Sequence, residues 1–148
     1  MNPLDQIPAD LSVAHLLSQD ADGLVLRGSR CGRCGEVYFP PVDSCTACCN
    51  GEMEPLHLGA EGNLWSWTVQ AFMPKSPFNS GETEADFSPY GVGYVEMPCG
   101  VKVESRLTSA DPAGLRIGMP MKLELVRYGQ RADGTPLYTY AFGPAGEL

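Results

Sequence analysis

Five of the six cysteines in this 148-residue chain fall between positions 31 and 49. Four of them form two C-x2-C pairs ten residues apart, Cys31-Gly32-Arg33-Cys34 and Cys45-Thr46-Ala47-Cys48. Two thiolates at that spacing reach one ion from a tight turn, because the backbone folds round the metal with its amides facing the sulfurs. Two such turns complete a tetrahedral four-sulfur shell, which suits zinc; iron is the second candidate, since four thiolates also hold a single iron. Four protein ligands leave no open position, so Cys31, Cys34, Cys45 and Cys48 are expected to hold a structural metal, not a catalytic one. Its contribution is folding energy, roughly 10–16 kcal/mol in apparent terms for model finger peptides. Disulfides are the competing reading, and a reducing compartment argues against them. Gly35 supplies the positive φ that such a turn needs. Cys49 stands in the equivalent place after the second pair, where it sits in a strained conformation, competes as a ligand, or is a spare thiol; the last is preferred. Cys99 precedes Gly100 and reads as a free turn thiol with no base to activate it.

A search for catalytic machinery returns nothing. The two histidines, His15 and His57, stand in no motif, and the chain has no G-x-S-x-G, phosphate-binding loop, G-x-G-x-x-G or H-E-x-x-H. No catalytic residue is assigned, and cofactor-binding residues stay unassigned. Nucleic-acid binding is the alternative function, because zinc ribbons and small barrels are common there. Arg27, Arg30 and Arg33 cluster near the metal, residues 100–131 carry six bases against three acids, and Trp65 and Trp67 are candidates to stack bases. A net charge of −8 opposes it by repelling phosphate at long range. Trp65 and Trp67 also share a face with Val69, which reads as core. No nucleic-acid partner is therefore expected.

The elements that would carry the cysteines follow from composition and periodicity. Hydrophobic content of 43% with 19% charged residues describes a globular chain, and 17 glycines with 13 prolines predict many turns and short strands. No apolar run is long enough to cross a bilayer, so no membrane partner is expected. The first 26 residues hold Asp5, Asp10, Asp20 and Asp22 but no Lys or Arg, unlike a secretory signal, and the expected location is the cytoplasm. Residues 1–23 read as an arm around one short helix, capped by Asp10 or Ser12. Leu11, Ala14, Leu16 and Leu17 would form its apolar face, and it would end near Gln19. Residues 24–58 form the cysteine region, opening on a short strand, Leu24 to Arg27. Residues 59–148 carry five strand patterns: Leu64 to Phe72, Gly91 to Met97, Val101 to Leu107, Met121 to Leu125 and Leu137 to Phe142. Gly100 marks a hairpin between the second and third, and Asp111 to Leu115 a helical turn before the fourth. The count fits a five-stranded Greek-key barrel of the oligonucleotide/oligosaccharide-binding (OB) type. Between the first two strands, Met73 to Tyr90 is a long loop, either mobile and solvated or ordered by a partner with Phe72, Phe78, Phe87 and Tyr90 as anchors.

In this order the motifs resemble the DUF35 family. The resemblance rests on Cys31-Gly32-Arg33-Cys34-Gly35, Tyr38-Phe39-Pro40-Pro41 and Cys45-Thr46-Ala47-Cys48, then Gly62 through Val69, Pro89 through Val92 and Gly100 through Val103. Asp111-Pro112 to Leu115, Ile117 to Met121 and Phe142-Gly143-Pro144 complete it, so that it spans roughly residues 24 to 144. Cys49 departs from the pattern, where the family usually has glycine. The resemblance implies a rubredoxin-like zinc ribbon joined to an OB-fold behind a short helical arm. It also implies a non-catalytic partner subunit of thiolase-like enzymes that make or break carbon–carbon bonds on acyl-CoA. A similar arrangement occurs in benzoylsuccinyl-CoA thiolase, with its separate small zinc-finger subunit. The catalytic Cys and His would then lie in the thiolase-like partner of a hetero-oligomer, and a coenzyme A thioester would be shared with it.

Overall fold

The computed structural model describes residues 13–146. The N-terminal part differs from the expected helix. Ala14–Leu16 is a single 3-10 turn, and Leu17–Asp20 is already a strand, β1. The reason lies downstream. Asp20-Ala21-Asp22-Gly23 makes a two-residue hairpin loop, in which the Asp20 carboxylate accepts the Asp22 and Gly23 amides at 2.8 and 3.1 Å. Leu17 is thereby registered opposite Leu26. Two consecutive buried leucines, Leu16 and Leu17, suit a turn-to-strand junction as well as a helical stripe. The expected caps, Asp10 and Ser12, and Leu11 lie outside the described residues.

Strand β2 (Gly23–Cys31) is the spine of the first sheet. It pairs antiparallel with β1, with the two-residue β3 (Val37–Tyr38) and with β4 (Met53–Gly59). The remaining strands are β5 (Glu61–Gln70), β6 (Tyr90–Glu96), β7 (Lys102–Leu107), β8 (Pro120–Gln130) and β9 (Pro136–Pro144). They close into a barrel in the order β5-β6-β7-β9-β8. All its pairings are antiparallel except β7 with β9, where Arg106 and Leu107 oppose Ala141 and Phe142. The fold is therefore mainly β, a ribbon joined to a closed five-stranded OB barrel, as expected. Gly100, at φ +95°, turns the β6–β7 hairpin.

Alternation places Val95, Val103, Met121 and Phe142 inside the barrel, essentially without solvent contact. Leu17, Leu26 and Leu58 of the first sheet belong to the same apolar cluster, so one continuous core spans both sheets. Trp65 departs from the sequence reading. A bulge between Leu64 and Ser66 breaks the alternation, burying Leu64 and turning Trp65 outward to 52% exposure, while Trp67 packs partly buried on the core. The long loop is held by its own rings: Phe78, Phe87 and Tyr90 pack mutually at 6.1–6.4 Å. Asn79 ties it to β8, its amide donating to the Gln130 carbonyl at 2.8 Å and its carbonyl accepting the Gln130 amide at 3.0 Å. Phe72 takes no part in that cluster and is 73% exposed. Among the described residues, no helix is long and apolar enough to cross a membrane.

Candidate metal centre

Each C-x2-C pair is bent by the same set of backbone hydrogen bonds, offset by 14 residues. In the first turn the Gly35 amide donates to the Cys31 carbonyl at 3.0 Å, and the Cys31 amide to the Glu36 carbonyl at 2.8 Å. In the second the Cys49 amide donates to the Cys45 carbonyl at 2.9 Å, and the Cys45 amide to the Asn50 carbonyl at 2.8 Å. Strand β2 delivers Cys31 at its last residue. Gly35 has φ +80° and Cys49 φ +63°, so Cys49 occupies a left-handed position that its side chain disfavours by about 1–2 kcal/mol. The strained backbone read from the sequence is present.

The four sulfurs of Cys31, Cys34, Cys45 and Cys48 all lie within 4.8 Å of one another. Cys31 and Cys48 approach to 3.5 Å, as do Cys34 and Cys45. A tetrahedral zinc–thiolate centre has sulfur–sulfur edges of about 3.8 Å, given Zn–S near 2.3 Å, and the cluster fits it. Cys49 and Cys99 stand apart from the cluster and are exposed. Cys31 and Cys45 are buried, Cys48 is half-buried and Cys34 is exposed.

Donors converge on the two buried sulfurs. The amides of Arg33 and Cys34 reach the Cys31 sulfur at 3.4 Å, and the Asn50 side-chain amide at 3.6 Å. The Tyr38 hydroxyl lies 3.2 Å from the Cys45 sulfur and accepts the Thr46 amide at 3.1 Å. The Cys34 amide, followed by those of Arg33 and Asn50, draws the Cys31 thiol down to about 6 against the opposing effect of burial. The Tyr38 hydroxyl does the same for Cys45, with smaller help from the Cys48 and Ala47 amides. Their partners move the other way. The Glu36 amide pulls Cys34 down, but the Cys45 sulfur, burial and the remaining two sulfurs together push it up to about 12. Cys48 is also raised: the Asn50 amide favours its thiolate, yet burial and the Cys31 sulfur outweigh it. Four sulfurs this close cannot all carry charge unaided, and a bound dication removes that conflict. The donor set therefore fits zinc.

Spacing alone identifies the four cysteines. Tyr38 and Asn50, which tune them, carry no recognisable spacing signal, although Tyr38 falls in the Tyr38-Phe39-Pro40-Pro41 motif. His15 contributes only its carbonyl, which accepts from the Arg27 guanidinium at 2.8 Å, and His57 lies opposite Arg27 on β4. Neither is near the sulfur cluster.

Comparison with known proteins agrees with this geometry. Residues 21–54 match the ChsH2 rubredoxin-like zinc ribbon domain, and residues 57–126 match the ChsH2 C-terminal OB-fold domain. The chain is 29% identical over 137 residues to the benzoylsuccinyl-CoA thiolase subunit BbsA of Thauera aromatica, covering 90% of this chain and 88% of that one. It is 31% identical over 121 residues to a DUF35 domain-containing scaffold protein of Methanothermobacter thermautotrophicus, covering 80% and 86%. Among solved structures it is similar to a chain of an Ltp2–ChsH2(DUF35) aldolase, with a TM-score of 0.61, 26% identity and coverage of 82% and 86%.

Proposed function

Because the chain belongs to the DUF35 family of ChsH2-type zinc ribbon and OB-fold proteins, we propose that it is the non-catalytic, zinc-holding subunit of a thiolase-like complex. The complex would act on carbon–carbon bonds of acyl-CoA substrates by thiolysis, aldol cleavage or acyl transfer. In this reading Cys31, Cys34, Cys45 and Cys48 bind one zinc ion, which fixes the fold of the ribbon over residues 24–58. Bound there, zinc supplies folding energy and nothing reactive, because four thiolates leave no coordination site for substrate. The single observation that carries the reading is the closed sulfur cluster standing in a chain with no catalytic motif. The relatives support it by name, one as a thiolase subunit, another as a scaffold protein, the third as part of an aldolase. The catalytic residues belong to the partner, and this chain supports assembly and shares in binding the coenzyme A thioester.

The test is co-expression with a thiolase-like protein encoded beside it. Size-exclusion chromatography with light scattering should give one hetero-oligomeric peak containing both chains and zinc. The partner alone should show weak acyl-CoA carbon–carbon bond chemistry that this chain restores. Two separate peaks, with a partner fully active alone, would remove the reading.

A further inference from the structure

Asn50 closes the second cysteine turn in the way that Glu36 closes the first. The Cys45 amide donates to the Asn50 carbonyl at 2.8 Å, as the Cys31 amide does to the Glu36 carbonyl. The Asn50 side chain also crosses to the other turn, its amide donating to the Cys31 sulfur at 3.6 Å and to the Glu52 carbonyl at 3.2 Å. Main chain and side chain of one half-buried residue therefore serve both turns. The residue that follows sets the turns apart. Glu36 precedes Val37, whereas Asn50 precedes Gly51, and Asn50-Gly51 is the only Asn-Gly pair in the chain.

An asparagine side chain is most open to attack by the next backbone nitrogen when that nitrogen belongs to glycine, which has no Cβ to shield it. Gly51 is exposed, a Cβ there would meet no atom beyond its chain neighbours within 4 Å, and its amide has no hydrogen-bond partner among the described residues. The chemistry needs only water. The Gly51 nitrogen bonds to the Asn50 side-chain carbonyl carbon, and the side-chain nitrogen leaves as ammonia, carrying the proton that the Gly51 amide gives up. Water then opens the cyclic imide at either carbonyl, leaving aspartate or isoaspartate at position 50.

Both products damage the metal site. Aspartate replaces an N–H donor at the Cys31 sulfur by a carboxylate, which repels the thiolate. Isoaspartate routes the main chain through the side chain, inserting a methylene at the residue whose carbonyl holds the Cys45 amide. The intact site opposes the reaction, since closing the imide breaks both hydrogen bonds of the Asn50 side-chain amide.

We propose that Asn50-Gly51 is a deamidation site guarded by the bound metal. The zinc-loaded turns keep the Asn50 amide in its hydrogen bonds, and a chain left without zinc is converted at position 50 to a form that binds zinc more weakly. The site depends on the four-cysteine zinc reading above and on no partner subunit.

The full chain, zinc-loaded or stripped with a chelator, is kept in neutral buffer and followed by peptide mass spectrometry. Deamidation adds about 1 Da to the peptide holding residue 50, which isomerisation at Asp22-Gly23 or Asp133-Gly134 does not do. The gain is expected at least about tenfold faster without zinc, because hydrogen bonds to a charged sulfur no longer have to break first. When zinc is returned, the modified fraction should bind it about 10-fold or more weakly in competition with a chromogenic chelator, as should Asn50→Asp. Gly51→Ala, for which there is open space, should bind zinc like the parent and show no mass gain over the same interval. If Asn50→Asp does not fold, the aged parent chain and Gly51→Ala decide. An unchanged rate in Gly51→Ala, or parent-like zinc binding by the modified fraction, overturns the proposal. A freshly isolated chain with no zinc overturns the metal reading and the proposal together, whereas equal rates with and without the metal in a chain that holds it overturn the proposal alone.

Discussion

Between Cys31 and Asn50 the only buried side chains are Cys31 and Cys45 themselves. The barrel, by contrast, encloses Leu64, Val95, Val103, Met121 and Phe142, none more than 1% exposed. The first region removes little apolar surface from water, Val37 and Phe39 being only partly buried against the core, so its shape depends mainly on electrostatics around four sulfurs. The second depends on burial, at roughly 25 cal/mol per Å². They meet in Leu17, Leu26 and Leu58, which belong to the ribbon sheet but pack in the barrel's cluster. Within 148 residues, then, one part answers to chelators and the other to cavities.

Removing the metal should have the largest effect. With a chelator, the two turns over residues 31–50 are expected to lose all protection from hydrogen exchange, forfeiting a term of roughly 10–16 kcal/mol in apparent units. The barrel amides of β5 to β9 should stay protected. Collapse of both regions together, or survival of both, would show that the division is wrong. Phe142→Ala is the converse experiment. It should cost about 3–5 kcal/mol in denaturant unfolding of the barrel while leaving the stoichiometry of bound zinc at one. Loss of zinc on that substitution would mean that the turns borrow their stability from the barrel. Cys49→Gly gives the smallest change and sharpens the comparison inside the ribbon. Glycine relieves the left-handed strain but adds freedom to the unfolded chain, so a net gain of at most about 1 kcal/mol is expected in zinc-loaded thermal unfolding. A clear loss would mean that the Cys49 thiol is itself needed.

What could be read from the sequence follows the same divide. The four cysteines are legible because their spacing is itself the geometry. The five barrel strands are legible because Val101 to Leu107 and Met121 to Leu125 alternate strictly, and a half-buried strand imposes that period. Features set by distant partners were hidden. Leu16-Leu17 fits a helix until Leu26 pairs with Leu17 and makes it a strand. Trp65 sits in phase with Val69 until a bulge opposite Tyr94 and Val95 shifts it by one residue. The donors Tyr38 and Asn50 reach sulfurs 7 and 19 residues away along the chain, and no local pattern announces such a contact. The Phe78, Phe87 and Tyr90 cluster lies between, since its residues were evident but not whether they would seek one another or a partner.

Closure of the barrel has a last consequence for how another polypeptide can attach. The ring of five strands closes through short seams, two residue pairs between β7 and β9 and three between β5 and β8, so a visiting strand cannot enter at those seams. The ribbon sheet is open, with β4 bonded only to β2 and its other side unpaired by any described strand. Main-chain pairing with a second protein is thus open along β4 in the cysteine-bearing sheet, whereas the closed seams of the barrel can be met only through their side chains.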